Sequence, residues 1–393
     1  MRTFVARWTC CAVGTWVSRS FSSGRALRGA VGSADPGGNK KAGVAAGFRV
    51  RWLVRHAILR AKAAGKHCPA RGGLIPSSRS RLGAGLEKDE LERLAGRRLR
   101  LSFEEIVSHP RLPEARRAYI AAFCDLYEGD PFLVRLLLQA GRFLVFLSAA
   151  VLEAAQDPAR RETWFTVSAL KRQLSMHGHA SDRQVDHLLA RLCEVGFIEQ
   201  NRAPADRRVR LLATTDKLRS HHAEWLATHF VPLAKLYPDH DYRPVLARNQ
   251  AFNVTHCRVG LPFFPVSVRL MMTLPDTMLF FSHAAGPLIQ NAVLKAAIDA
   301  GDPTAAIPYM DVADRFGVSR THIRNLMNAA QAAGLVRIIG RGGRSIEITP
   351  RHWASYDRGL AVGMYLHDAV NLVAMRDWTE ARRRSAAHLL TVD

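Results

Sequence analysis

Two stretches of the chain carry the same alternation of apolar and polar positions. Between Ser181 and Gly196, the apolar residues Val185, Leu188, Leu189 and Leu192 fall at i, i+3, i+4 and i+7. That spacing makes one buried stripe along a helix. Between Ser319 and Gly334, Ile323, Leu326, Met327 and Ala330 repeat it. Ser181-Asp182-Arg183-Gln184 reads as a capping box, with a serine whose hydroxyl opens the helix and a glutamine three residues on. The cap serine, the four stripe residues and the terminating glycine all recur at a constant offset of 138 residues. Apolar residues are common enough for any one match to be cheap, but six in register predict an internal duplication. A shorter amphipathic helix is expected before each of these, at Val167–Leu174 and Tyr309–Phe316. The first turn, Ser175–Ala180, is four residues longer than Gly317–Val318.

After each Ser-capped helix the period changes from helix to strand. Phe197–Gln200, a polar turn Asn201–Arg207 and Arg208–Ala213 predict one hairpin; Leu335–Ile339, Gly340–Arg344 and Ser345–Thr349 predict the other. Helix, turn, Ser-capped helix and hairpin together predict a winged helix-turn-helix, occurring twice. Long helical segments are expected at Pro131–Ala155, Ser220–Leu236, His283–Ala300 and His352–Ala386. The expected fold class is therefore mainly α with small β-wings: an N-terminal helical segment 87–130, a first winged helix with flanking helices 131–236, and a second with C-terminal helices 283–393. The stretch 237–282, rich in proline and phenylalanine, is expected to pack as a connector of irregular structure or short strands such as Ser267–Thr273. The most apolar run, Phe132–Leu152, contains Arg135, Gln139 and Arg142, and its clean part is too short to span a bilayer. It reads as a buried or dimer-forming helix, with no membrane partner.

Charge changes the picture. The 393 residues hold 56 Lys and Arg against 34 Asp and Glu, a net charge of +22 that calls for a polyanionic partner. Residues 1–86 have 16 basic residues and a single acid, Asp35, so this segment supplies +15 of that total. Without periodicity or acids it is expected to be a disordered basic tail. Its origin stays open between a transit peptide, a phosphate-binding arm and a tail without use. Six scattered cysteines form neither a disulfide framework nor a zinc pattern, and an intracellular, cytoplasmic and nucleoid-associated protein is expected.

On a helix lying in the major groove, Arg reads guanine, and Asn, Gln and His read adenine or guanine edges. The candidate DNA-binding residues are Ser181, Arg183, Gln184 and His187 on the first Ser-capped helix and Ser319, Arg320, Thr321, His322, Arg324 and Asn325 on the second. Arg202, Arg341 and Arg344 in the hairpins are candidates for phosphate contact. Solvation alone would also give charged outer faces; duplication with two basic hairpins favours double-stranded DNA.

Ser181-x-x-Gln184-Val185 through Gly196-Phe197-Ile198, then Ala203-Pro204-Ala205-Asp206-Arg207-Arg208 and Leu212-Ala213-Thr214-Thr215, resembles the winged-helix core of the multiple-antibiotic-resistance regulator (MarR) family over residues 165–217. The resemblance implies Arg207 and Arg208 as DNA contacts near the wing tip. It also implies a transcriptional regulator, a repressor in most cases. Asp216-Lys217 stands where the family has a glycine, and two copies in one chain imply a tandem or fused relative. Flanking helices of such regulators form a homodimer core and a small-molecule effector pocket. A plasmid-type replication initiator with two winged helices and a winged-helix protein-interaction scaffold are the alternative readings.

No phosphate loop, dinucleotide fingerprint, nucleophile elbow or HExxH motif occurs, so neither an enzyme nor a cofactor is expected. His177 and His179 with His187 and Cys193 are a weak metal candidate, and in a DNA reader the same imidazoles could meet phosphate. Cys193, between Leu192 and Val195, reads as a small buried residue rather than a redox switch.

Overall fold

Serine at an extended backbone position starts both of the repeated helices. In the computed structural model, which describes residues 78–175, 181–203, 206–306, 309–339 and 345–389, Ser181 (φ −74°, ψ 153°) and Ser319 (φ −77°, ψ 148°) cap Asp182–Glu194 and Arg320–Ala332. All eight stripe residues are buried. Gly196 and Gly334 close the helices at φ of +74° and +75°, a left-handed step that costs glycine little.

The N-terminal helices are α1 (Ser78–Ala95), α2 (Phe103–Val107) and α3 (Leu112–Tyr127). α1 begins inside the basic segment, so residues 78–86 are helical where a disordered tail was expected; residues 1–77 lie outside the described residues. The first half continues with α4 (Pro131–Leu137), α5 (Ala140–Ala154), α6 (Val167–Ser175), α7 (Asp182–Glu194), β1 (Ile198–Arg202), β2 (Arg210–Thr214) and α8 (Asp216–Leu236). The second half is α9 (Arg243–Leu246), α10 (Gln250–Gly260), α11 (Phe264–Met272), α12 (Pro275–Phe281), α13 (Gly286–Ala300), β3 (Thr304–Ala306), α14 (Tyr309–Phe316), α15 (Arg320–Ala332), β4 (Val336–Ile339), β5 (Ser345–Ile348) and α16 (Pro350–Leu389). The chain is mainly α with two small antiparallel sheets, as the sequence predicts.

Three expectations are corrected. The connector 237–282 is helical, not irregular or stranded. Pro244, Pro265 and Pro275 sit in the first turn of α9, α11 and α12, where a missing N–H costs nothing, Pro262 opens the short 3-10 turn Leu261–Phe263, and Ser267–Thr273 runs through α11 into its C-cap. The long helix expected over Pro131–Ala155 is broken after Leu137: Leu138 (ψ 65°) leaves the helical region, and its carbonyl accepts the Ala285 N–H at 2.8 Å. The second sheet also gains a strand, β3, so that its order is β3-β5-β4.

The hairpins pair in simple register, Ile198 with Thr214 and Val336 with Ile348. A threonine follows each and repeats one set of bonds. Thr215 Oγ1 donates to the Gly196 carbonyl at 2.7 Å and accepts from Leu218 N, while Thr349 Oγ1 donates to Gly334 at 2.9 Å and accepts from His352 N. Each threonine thereby ties the end of one helix to the start of the next.

The halves interlock reciprocally. α3 packs on α8 of its own half and on α13 of the other, and α10 packs on α16 of its own half and on α5 of the other. α2 lies on α16, and α9 on α8. One continuous core results, including Phe146, Phe230 and Leu288. Arg100 donates to buried Asp368 at 2.5 and 2.9 Å, and the Tyr242 hydroxyl donates to the same carboxylate at 2.6 Å.

Candidate nucleic-acid interface

Because buried stripes fix how α7 and α15 sit, their other faces are determined. On α15, Arg320, Thr321, Arg324 and Asn325 are exposed, and the helix contains no acidic residue. Asn328, four residues after Arg324, extends the same exposed row. It was not among the sequence candidates, although its i+4 spacing from Arg324 pointed to it. Ser319 is occupied as the cap, its Oγ accepting from His322 N at 3.1 Å.

His322 departs from the outward position expected of it. It is half-buried, and its Nε2 stands 2.8 Å from the Ala284 carbonyl. A carbonyl only accepts, so Nε2 carries the proton and the ring anchors α15 to the turn after α12.

α7 differs in charge. Arg183 and His187 are exposed, yet Asp182, Asp186 and Glu194 share the helix. Asp186 pairs with Lys171 at 2.7 Å, and Arg191 with Glu194 at 2.6 Å. Gln184 closes the capping box: its Oε1 accepts from Ser181 N at 2.8 Å and from Ser181 Oγ at 3.0 Å. The Gln184 and Ser181 side chains therefore start the helix.

Arg202 at the end of β1 and Arg207 and Arg208 in the turn are exposed, and Arg210 on β2, paired with Arg202, joins them. Asp206 shapes the turn by accepting the Arg208 N–H at 3.1 Å and pairs with Arg161 at 2.9 Å. Four guanidinium groups thus stand on one hairpin, against two carboxylates, Asp206, which is already paired, and the exposed Glu199 on β1. Arg341 and Arg344 lie outside the described residues, as do His177, His179 and most of the turn Ser175–Ala180. Among the described residues, no group of three His, Cys, Asp or Glu could hold a metal ion, and no single helix is long and apolar enough to cross a membrane. Cys193 is half-buried, with the Gln200 side-chain amide 3.5 Å from its sulfur.

Set against family models, curated proteins and solved structures, the chain matches none.

Proposed function

We propose that the protein is a sequence-specific double-stranded DNA-binding transcriptional regulator, acting as a repressor, whose two repeated units are tandem winged helices. The observation that carries the proposal is α15, with Arg320, Thr321, Arg324 and Asn325 exposed on a Ser-capped helix that has no acid, followed directly by a hairpin. An acid-free helix can approach phosphates without repulsion, and its Arg and Asn side chains match guanine and adenine edges. The Arg202, Arg207, Arg208 and Arg210 hairpin supplies sequence-independent phosphate attraction. Since α7 carries three acids and α15 none, the two units are unequal readers, and an asymmetric site follows.

Selection from a random duplex pool at about physiological salt tests this. A recovered motif supports it, and promoter operators as against repeated iterons distinguish a regulator from a replication initiator. Arg324→Ala and Asn325→Ala are expected to relax preference at particular bases by about 1–3 kcal/mol. Replacing Arg207 and Arg208 together by alanine should weaken binding to every sequence and flatten its salt dependence. Unchanged affinity and preference in both sets would overturn the reading.

The mixed charge of α7 favours a second reading for the first unit alone, a protein dock in place of a DNA reader. Arg183→Ala would then leave DNA preference unchanged while Arg324→Ala alters it.

A further inference from the structure

Between the two halves lies a cavity of about 320 Å3, walled by α3, α5 and α8 from one side and by α10–α13 and α16 from the other. Ligand pockets run from about 300 to 1,000 Å3, whereas ordinary packing voids hold a water at most. The cavity is partly open to solvent, so its largely apolar wall stays hydrated until something covers it.

Two glycines in the first half of the 40-residue helix α16, Gly359 and Gly363, line the cavity. At Gly359 a Cβ would lie 2.8 Å from Thr277 Oγ1 of α12, so a side chain there would have to push Thr277 aside. At Gly363 nothing stands within 4 Å of where a Cβ would be. Glycine in mid-helix costs about 0.5–1 kcal/mol relative to alanine. A larger residue at 363 would strengthen the helix and fill the space, and the chain has neither gain. At the spacing set by Thr215 and Thr349, α8 has Trp225 and His229 where α16 has Gly359 and Gly363, so the opening belongs to one side of the internal repeat.

The chemistry of the wall narrows the occupant. No Lys, Arg, Asp or Glu lines the cavity. Its imidazoles are uncharged at neutral pH, because burial pulls His222 and His229 down to about 4 and His256 to about 3. A charged ligand would therefore lose its hydration without gaining a counter-ion. Aromatic walls come from Phe143 and Trp225, and Met271, Met272, Met278 and Met364 supply adaptable ones. Several polar groups in the wall are already engaged: the Tyr119 hydroxyl stands 3.1 Å from His229 Nε2, and the Tyr356 hydroxyl donates to Asn291 at 2.8 Å. His256 is buried with its Nε2 unpartnered.

We propose that this cavity is a binding site for an uncharged, largely apolar small molecule of about the size of a bicyclic aromatic, carrying one hydrogen-bonding group. Such a ligand gains the contacts that the wall now lacks. Binding here is independent of whether α15 reads DNA.

The test uses the full chain with naphthol and its charged counterpart naphthoate, read by calorimetric titration and by thermal unfolding. Naphthol is expected to bind and raise Tm by a few degrees at saturating concentration; naphthoate is expected to bind at least about tenfold more weakly. Gly363→Leu should raise the Tm of the free protein and abolish the naphthol shift. Should that variant fail to fold, Gly363→Ala should fold and show a smaller shift. Absence of naphthol binding by the unaltered chain overturns the proposal. So does a naphthol shift that survives both substitutions, since binding is then elsewhere, and equal affinity for naphthoate overturns the uncharged class.

Discussion

Gly317, in the turn between α14 and α15, shows how a single position constrains the unit around it. Its φ is +62°, and a Cβ would stand 2.5 Å from Pro131 Cβ and 2.6 Å from the Arg135 guanidinium, which donates to the Gly317 carbonyl at 3.3 Å. Backbone strain and a collision therefore act together, and Gly317→Ala is expected to destabilise the protein by about 1–3 kcal/mol. Urea unfolding checks this, and a loss below about half a kcal/mol would mean that α4 moves aside freely. Gly317 was legible as a turn residue because its neighbours Val318 and Ser319 mark a helix boundary within three positions. His322 was not legible as an anchor, because Ala284 lies 38 residues away in the chain. The same holds for Arg100, which meets Asp368 across 268 residues. Local caps are written in short patterns; partners brought together by packing are not.

At the scale of elements, Thr215 and Thr349 are the clearest sign of duplication that the structure adds to the repeated stripe. Each hydroxyl spans two helix ends, so Thr215→Val and Thr349→Val are each expected to cost about 0.5–2 kcal/mol, the usual loss of a cap. Equal losses from the two substitutions would support equivalent roles in the halves; a loss from only one would show that the other joint is held by different contacts. Helices α6, α7, α14 and α15 and both hairpins were legible within a few residues, because their burial follows a local period and Ser or Gly ends them. The connector was misread for a physical reason. Pro244, Pro262, Pro265 and Pro275 suggested irregular chain, yet proline in a first turn starts a helix as readily as it breaks one. The break at Leu138 had no local signal, since it depends on Ala285 offering an N–H from the other half. β3 is three residues long and gains its meaning only from pairing with β5. Apart from His322, the exposed face of α15 followed from its stripe, whereas the central cavity, made by eight helices from both halves, had no counterpart in any single stretch of sequence.

For the whole molecule, the way the halves meet sets a pH dependence. The core between them contains a set of imidazoles, with His229 and His367 rings 5.1 Å apart and the His229 ring tilted against Trp225 at 4.2 Å. Burial lowers His221, His222 and His229 to about 4, His256 to about 3, and His352, near the start of α16, to about 4. In the unfolded chain each returns to about 6.5. The unfolded state therefore binds more protons than the folded state between about pH 6.5 and pH 4, and acidification favours unfolding. Stability is full above about pH 6.5, falls through that window and levels off once the folded imidazoles also protonate. Each group is expected to contribute about 1 kcal/mol of loss by pH 5.5, so several together remove a large part of the 5–15 kcal/mol typical of a folded protein. Asp357 works in the opposite direction, because burial raises its carboxyl despite Arg116 at 2.7 Å, and its single contribution offsets only part of the trend. Urea titrations at pH 7.5, 6.5 and 5.5 should give a falling midpoint with a nearly constant slope. A midpoint unchanged to pH 5.5 would mean that water or rearrangement reaches the imidazoles, and that the two halves separate more easily than their interlocked helices imply.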